Sequence, residues 1–152
     1  MARILGVDFG SRRVGLAVSD PSGRIASPLT TLEVPKNPSA LLQLVLREAR
    51  AWEAGEIVLG LPLNMDGSEG PQARRTREFG ASLARAGGIP VRYWDERLSS
   101  HAAKDSLDQT GMSRDWKRSR IDTVAAAVIL QSCLDALASS NNADEPPAEP
   151  AD

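Results

Sequence analysis

Sulfur and imidazole are nearly missing from this sequence: its 152 residues include one cysteine, Cys133, and one histidine, His101. A single thiol cannot close an internal disulfide, and one Cys with one His cannot supply the four ligands of a structural zinc site. No apolar run reaches the ~18 residues that a membrane span needs. Asp8 interrupts the N-terminal apolar stretch before a signal-peptide core can form. The chain therefore reads as soluble and cytoplasmic, with no membrane partner. Also missing are a Gly-x-x-x-x-Gly-Lys-Ser/Thr loop, a Gly-x-Gly-x-x-Gly turn after a strand and a Gly-x-Ser-x-Gly elbow. Their absence removes the common signatures of nucleotide loops, dinucleotide sites and serine hydrolases. His101 lies too close in sequence to Ser99 and Ser100 for a catalytic triad and reads as a helix-surface residue, and Cys133 reads as core.

What remains is ordinary globular material, 41% hydrophobic and 25% charged, long enough for one domain with its own core. The net charge of −2 is skewed by the last twelve residues, which hold four acids and no Lys or Arg. Taking those four from the 20 acids leaves 16 against 18 basic residues, so a polyanionic partner stays open. The Pro- and acid-rich end cannot bury enough to order itself. We expect a domain over residues 1–138 and a disordered tail over 139–152.

Residues 3–9 and 14–19 are strand-length apolar runs joined by Gly10-Ser11-Arg12-Arg13, the pattern of a hairpin. Residues 24–34 predict a third strand, and Pro28 puts it near a sheet edge. Leu41, Leu42, Val45, Leu46, Ala49 and Trp52 then recur at helical spacing behind Asn37-Pro38, an N-cap and first-turn proline. Residues 56–60 predict a central strand. Pro71 opens a helix with Phe79, Leu83 and Ala86 inward, stopped by Gly87-Gly88. Residues 90–94 predict a fifth strand, residues from Ser99 or Ser100 to Leu107 a short helix, residues 113–120 a basic loop, and residues from about 121 an almost wholly apolar helix. The order βββαβαβαα implies an α/β fold. Its five-stranded mixed sheet has three antiparallel strands, then parallel βα units, with helices on both faces.

Three acidic positions stand out. Asp8 ends a strand whose neighbours are apolar, where a carboxylate is costly unless donors or a cation compensate it. Asp95 and Glu96 end the fifth strand and point to opposite faces, so only one can reach the sheet centre. Asp122 opens the last helix. Each has a plain structural explanation: a turn cap for Asp8, a solvated strand end with Arg97 as ion partner for the pair, the helix dipole for Asp122. Yet the parallel strands bring Asp8 and Asp95-Glu96 to one edge, where open α/β sheets bind ligands, and a helix packed across it would bring Asp122 close. Hard oxygen donors without His or Cys suit Mg²⁺ or Mn²⁺, and two such ions roughly 4 Å apart serve phosphoryl chemistry.

Around that edge lie Ser11-Arg12-Arg13, the glycine-rich stretch 63–70 and the basic run 114–120. Gly67 and Gly70 leave room for backbone approach, and the amides at the start of the following helix could hold a phosphate oxygen. Arg114, Lys117, Arg118 and Arg120 around Trp116 combine charge with a stacking ring, as nucleic-acid binding requires. The candidate nucleic-acid contacts are Arg12, Arg13, Asn64, Ser68, Arg97, Arg114, Trp116, Lys117, Arg118 and Arg120. Each loop could equally be a plain connector.

Four segments, LGVDFGSRRVGLAVSD at 5–20, VLGLPLNMDGSEG at 58–70, DERLSS at 95–100 and IDTVAA at 121–126, closely resemble the YqgF/RuvX group of RNase H-like nucleases, in the same order. The resemblance implies an RNase H-like fold and divalent-metal hydrolysis of a phosphodiester in structured nucleic acid. It also implies a role in 5′-end processing of pre-16S rRNA during ribosome biogenesis, while some members are described as Holliday junction resolvases acting on four-way DNA junctions. Carried over by position, the catalytic and metal-binding acids are Asp8, Glu96 and Asp122, with Asp95 a second choice to Glu96. Unlike the broader RNase H pattern, the strand ending Gly60-Leu61-Pro62 carries no acid, so Glu96 has to reach from the neighbouring strand.

Two rival readings use the same residues. The Asp-x-Gly hairpin also occurs in actin-like ATPases, but those close two such domains around ATP and this length provides one. A non-catalytic nucleic-acid-binding module would keep the basic loops and not need the acids. Junction cleavage requires two sites and hence a homodimer, whereas RNA trimming is possible for a monomer.

Overall fold

The computed structural model describes residues 2–99 and 121–144, and in the last helix the side chains of residues 123–139. Five strands, β1 (Arg3–Phe9), β2 (Arg13–Ser19), β3 (Ala26–Glu33), β4 (Ala54–Leu61) and β5 (Val91–Asp95), form one sheet in the order β3-β2-β1-β4-β5. β1 pairs antiparallel with β2, and β2 with β3; β4 runs parallel to both β1 and β5. This is the mixed sheet that the alternation of hairpins and crossovers implied. Its helices are α1 (Pro38–Ala51), α2 (Pro71–Gly87) and α3 (Ile121–Asp144), with a 3₁₀ turn over Glu96–Leu98. The predicted short helix from Ser99 or Ser100, with His101, and the basic loop 113–120 fall outside the described residues.

Strand alternation divides the core in two. Leu5 and Val7 of β1 with Ile57 and Leu59 of β4 face α1 and α2, where Leu41, Val45, Leu46, Ala49 and Leu83 meet them. Ala17 and Val58 face α3, packed on Ala126, Ala127, Ile129, Leu130, Cys133 and Leu134. Gly6 makes that second contact possible, because a Cβ there would lie 2.8 Å from the Cβ of Leu130. Cys133 is buried and free, and burial pushes its thiol up to about 11, which makes it the inert core residue expected.

α1 starts as read: Asn37 Oδ1 accepts the Ser39 N–H and Pro38 holds the first turn. α2 starts at Pro71 and ends on Gly88 at φ 65°. One expectation is corrected on α2. Ala86 is exposed, and the inward position is Gly87, four residues after Leu83, which lies against Leu46. β3 is the edge strand that Pro28 implied, with a pairing irregularity beside the proline's partner, Ala17. α3 continues to Asp144, so helix occupies the first residues of the segment expected as tail.

Polar anchors with no sequence periodicity fasten α3. Gln131 Oε1 accepts the Ala26 N–H at 2.9 Å, while its amide nitrogen donates to the Arg24 carbonyl at 2.9 Å. Thr123 and Thr31 share a hydroxyl hydrogen bond. The docking of α3 generates a stability prediction. Leu130→Ala leaves a cavity over Gly6 and should cost about 3 kcal/mol, read as a lower urea midpoint at unchanged slope. A loss under about 1 kcal/mol would contradict this packing.

Candidate active site

Asp8 lies one residue from the carboxyl end of β1, half-buried, on the face that α3 covers. The end of β5 is two strands away, about 10 Å at normal strand spacing, with β4 between. Glu96 nevertheless meets Asp8. Following β5, it falls on the α3 side of the sheet, like Trp94 two residues before it, and its side chain crosses β4 at Gly60. A Cβ at Gly60 would lie 2.8 Å from Glu96 Oε1 and 3.2 Å from its Cγ, so the crossing exists only because that position has no side chain. The acid missing from β4 and the glycine found there are one feature.

Glu96 forms a hydrogen bond with Asp8, and its carboxyl group is pushed up to about 7. Burial is the main cause, followed by the Asp8 charge, the hydrogen bond itself and the Asp95 charge. Two carboxylates this close do not both stay ionised in a partly dewatered site, and a shared proton relieves them. Together with Ser99, Val124, Ala125, Val128 and Ile129 they line a cleft of about 330 Å³. Among the described residues no arginine or lysine lines it.

Asp95 takes the opposite role. Its carboxylate accepts Arg97 Nε at 3.1 Å, Arg97 Nη2 at 2.8 Å and the Arg97 backbone N–H at 2.9 Å, and these bonds hold it below the usual carboxylate range. Arg97 in turn donates Nη1 to the Met65 carbonyl at 3.1 Å, tying the end of β5 to the β4–α2 loop. Of the two adjacent acids, one faces the cleft and the other holds an arginine.

The other candidates are distributed as follows. Asn64 and Ser68 build their own turn: Asn64 Nδ2 donates to Ser68 Oγ at 2.9 Å, and Asp66 Oδ1 accepts both the Ser68 N–H at 2.9 Å and its hydroxyl at 2.6 Å. Gly67, at φ 88°, permits the reversal. Arg12 and Arg13 are exposed on the β1–β2 turn, which closes by the Gly10 N–H donating to the Arg13 carbonyl at 3.1 Å. Arg114, Trp116, Lys117, Arg118 and Arg120 lie outside the described residues. Asp122 is in the first turn of α3; its side chain is not described. Among the described residues no group of three or more His, Cys, Asp or Glu is placed to hold a metal ion. Among the described residues, those that could hold a cation are thus Asp8 and Glu96. Its donors are hard oxygens, already within hydrogen-bond reach of each other, which fits Mg²⁺ or Mn²⁺ and not a soft metal.

Two residues escaped the reading of the sequence. Gly60 was legible only as the place where an acid is missing. Ser99 gave no signal beyond its neighbourhood to Glu96, yet it lines the cleft.

Comparison with known proteins identifies the family. The family model described as RuvX, Holliday junction resolvase, matches residues 2–136. A protein of Anaeromyxobacter sp. (strain Fw109-5) named "Putative pre-16S rRNA nuclease" is 48% identical over 133 residues, 88% of this chain and 96% of that one. One of the same name from Pelotomaculum thermopropionicum is 43% identical over 133 residues, 88% of this chain and 86% of that one. Among solved structures, T. thermophilus RuvC in complex with a Holliday junction substrate superposes with a TM-score of 0.65 at 15% identity, covering 92% of this chain and 98% of that chain. At that identity the likeness shows the RNase H-like fold alone. On the strength of the family match and these relatives, the chain belongs to the RuvX family.

Proposed function

We propose that this protein is a divalent-cation-dependent endonuclease of structured nucleic acid, with Asp8, Glu96 and Asp122 as its catalytic and metal-binding acids. The observation that carries the reading is the Asp8–Glu96 pair, brought together across Gly60 in an open cleft. Position 122 supports a third donor, since it precedes Ala125 and Ile129 of the cleft wall by three and seven residues and so shares their helical stripe. The names of the relatives favour pre-16S rRNA as substrate.

Bound Mg²⁺ or Mn²⁺, one ion or two, supplies the positive charge that lets an anionic phosphodiester accept an attacking oxygen. The chain's own part is to hold the oxygens. Asp8 is fixed by the β1 ladder, Glu96 by the 3₁₀ turn and Gly60, and Asp122 by α3. Water attacks phosphorus in line, the bond to the 3′ oxygen breaks, and that oxygen leaves with a proton, giving 5′-phosphate and 3′-hydroxyl ends. Arg12, Arg13 and the basic run 114–120 serve the phosphates on either side. The site is cytoplasmic in this reading, and among the described residues no helix is long and apolar enough to cross a membrane.

The family's description favours a second substrate, the four-way DNA junction. Symmetric junction cleavage needs two sites related by a dimer axis, so sedimentation combined with cleavage of pre-16S ends and junctions separates the two readings. A monomer that trims the RNA supports the first; a dimer that cuts only junctions supports the second.

Asp8→Asn should lower Mn²⁺-dependent cleavage by roughly a hundred- to a thousandfold while the circular dichroism and nucleic-acid binding persist. Full activity in that variant would overturn the assignment. The pH dependence follows from Glu96. Below about 7 its carboxyl holds a proton, and a cation must displace it, so cleavage should rise as pH passes through about 7 and then level off. Because the folded value is raised above the usual 4.5, the stability this group contributes is fully present below 4.5 and is lost as pH rises through about 7. Added Mn²⁺ should therefore raise the melting temperature more at about pH 8 than at about pH 5.5; equal shifts would count against Glu96 as a ligand. Gly60→Ala should fold, since the atoms its Cβ meets are the ends of the Glu96 and Ile129 side chains, but displace Glu96 and cost at least about tenfold in cleavage. Wild-type cleavage by this variant would contradict the crossing.

A further inference from the structure

Ser99 ends the 3₁₀ turn that Glu96 begins. Its backbone N–H donates to the Glu96 carbonyl at 3.0 Å. The turn is held from the α3 side as well: Ser132 Oγ donates to the Leu98 carbonyl at 2.7 Å and accepts Trp94 Nε1–H at 3.1 Å. The backbone leading into Ser99 is thus pinned, yet its own hydroxyl is buried without a hydrogen-bond partner, the one such side-chain group among the described residues. Folding gains nothing from such a hydroxyl, because it has given up water and received no bond.

Geometry indicates the missing acceptor. Residues three apart in a 3₁₀ turn eclipse one another, so Ser99 and Glu96 share a face of the turn, and both line the cleft with Asp8. As described, Glu96 is turned to Asp8 across Gly60. We propose that Ser99 is a positioning residue for Glu96: its hydroxyl donates to the Glu96 carboxylate when that group serves a divalent cation and fixes how its oxygens are presented. The inference rests on the cation reading above. Ser99 acts through Glu96 and does not touch the nucleic acid. The orphaned hydroxyl is then a donor kept ready for a carboxylate that is otherwise engaged.

Mn²⁺ binding to the full-length protein, with free Mn²⁺ read by electron paramagnetic resonance, tests this without relying on cleavage. Ser99→Ala should weaken Mn²⁺ binding by about tenfold or more, and Ser99→Thr, which keeps the hydroxyl, should restore most of it. In the absence of cation, the melting temperature of Ser99→Ala should be the same or higher, since no bond is lost. With nucleic acid, kcat should fall while KM stays constant. A Ser99→Ala protein that binds Mn²⁺ like the wild type overturns the inference and leaves the cation reading standing. A cation-free melting temperature that drops markedly assigns the hydroxyl to the fold and also overturns it. Wild-type protein with no Mn²⁺ binding that Asp8→Asn abolishes would sink the cation reading and this inference with it.

Discussion

Two carboxyl groups held against each other in a cleft that excludes part of the water are the constraint around which the rest is arranged. Such a pair works against folding, since each charge loses hydration and faces its like. A shared proton offsets this at low pH, and a cation can take the proton's place at higher pH. Keeping the pair together requires the strand order, because Asp8 and Glu96 belong to β1 and to the end of β5. It also requires the intervening strand to have no side chain where Glu96 passes, which Gly60 provides. A fold that brought the same strands together with alanine on β4 would have the acids and lack the pair.

The second requirement is that α3 stay seated, since it forms the far wall of the cleft and carries position 122. Its seat is built in two ways. Apolar contact comes from Gly6 and Leu130, where the backbone of the sheet lets the helix close to side-chain distance. Register comes from polar groups: Gln131 bridges to the start of β3, Thr123 to Thr31, and Ser132 to Trp94 and the 3₁₀ turn. Apolar packing alone tolerates sliding along an Ala-rich face, whereas a buried amide with paired donors and acceptors does not. These bonds join both ends of the sheet to one helix, so the positions of Glu96 and of residue 122 are coupled through the same body.

Much of this was legible in the residues. The strand at residues 3–9, the Asn37-Pro38 start of α1, the Pro71 and Gly88 limits of α2 and the edge position of Pro28 all follow from local chemistry, and each is where it was expected. The inward position at the end of α2 was misjudged because Ala86 is more apolar than Gly87, while the helical angle, not hydropathy, sets which one meets Leu46. Asp95 and Glu96 could be told apart only so far as pointing to opposite faces. Their roles depend on Arg97, the ion partner expected for the pair, choosing Asp95, and on space at Gly60, which has no sequence signature. The same holds for Asn64 and Ser68, whose polar side chains are used within their own turn. A polar side chain in a glycine-rich loop carries no mark that says whether its partner will be the loop or a phosphate.

The division of labour between the two neighbouring acids has a consequence for how a polyanion could approach. A phosphodiester entering the cleft meets carboxylates first, and this repulsion has to be offset by fixed positive charge placed near the site and not in it. Arg97 is well located for that by position, yet its guanidinium is paired with the Asp95 carboxylate and donates Nη1 to the Met65 carbonyl. Arg97 therefore acts as a strut that sets the β4–α2 loop beside the cleft. Arg12 and Arg13 are exposed on the β1–β2 turn, just beyond the end of the strand that carries Asp8. In the proposed reading, attraction comes from the flanks and compensation at the centre comes from bound cations. A site built this way separates binding from cleavage: removing a central acid spares the flanking contacts, whereas screening by salt weakens the flanks and leaves the carboxyl pair intact.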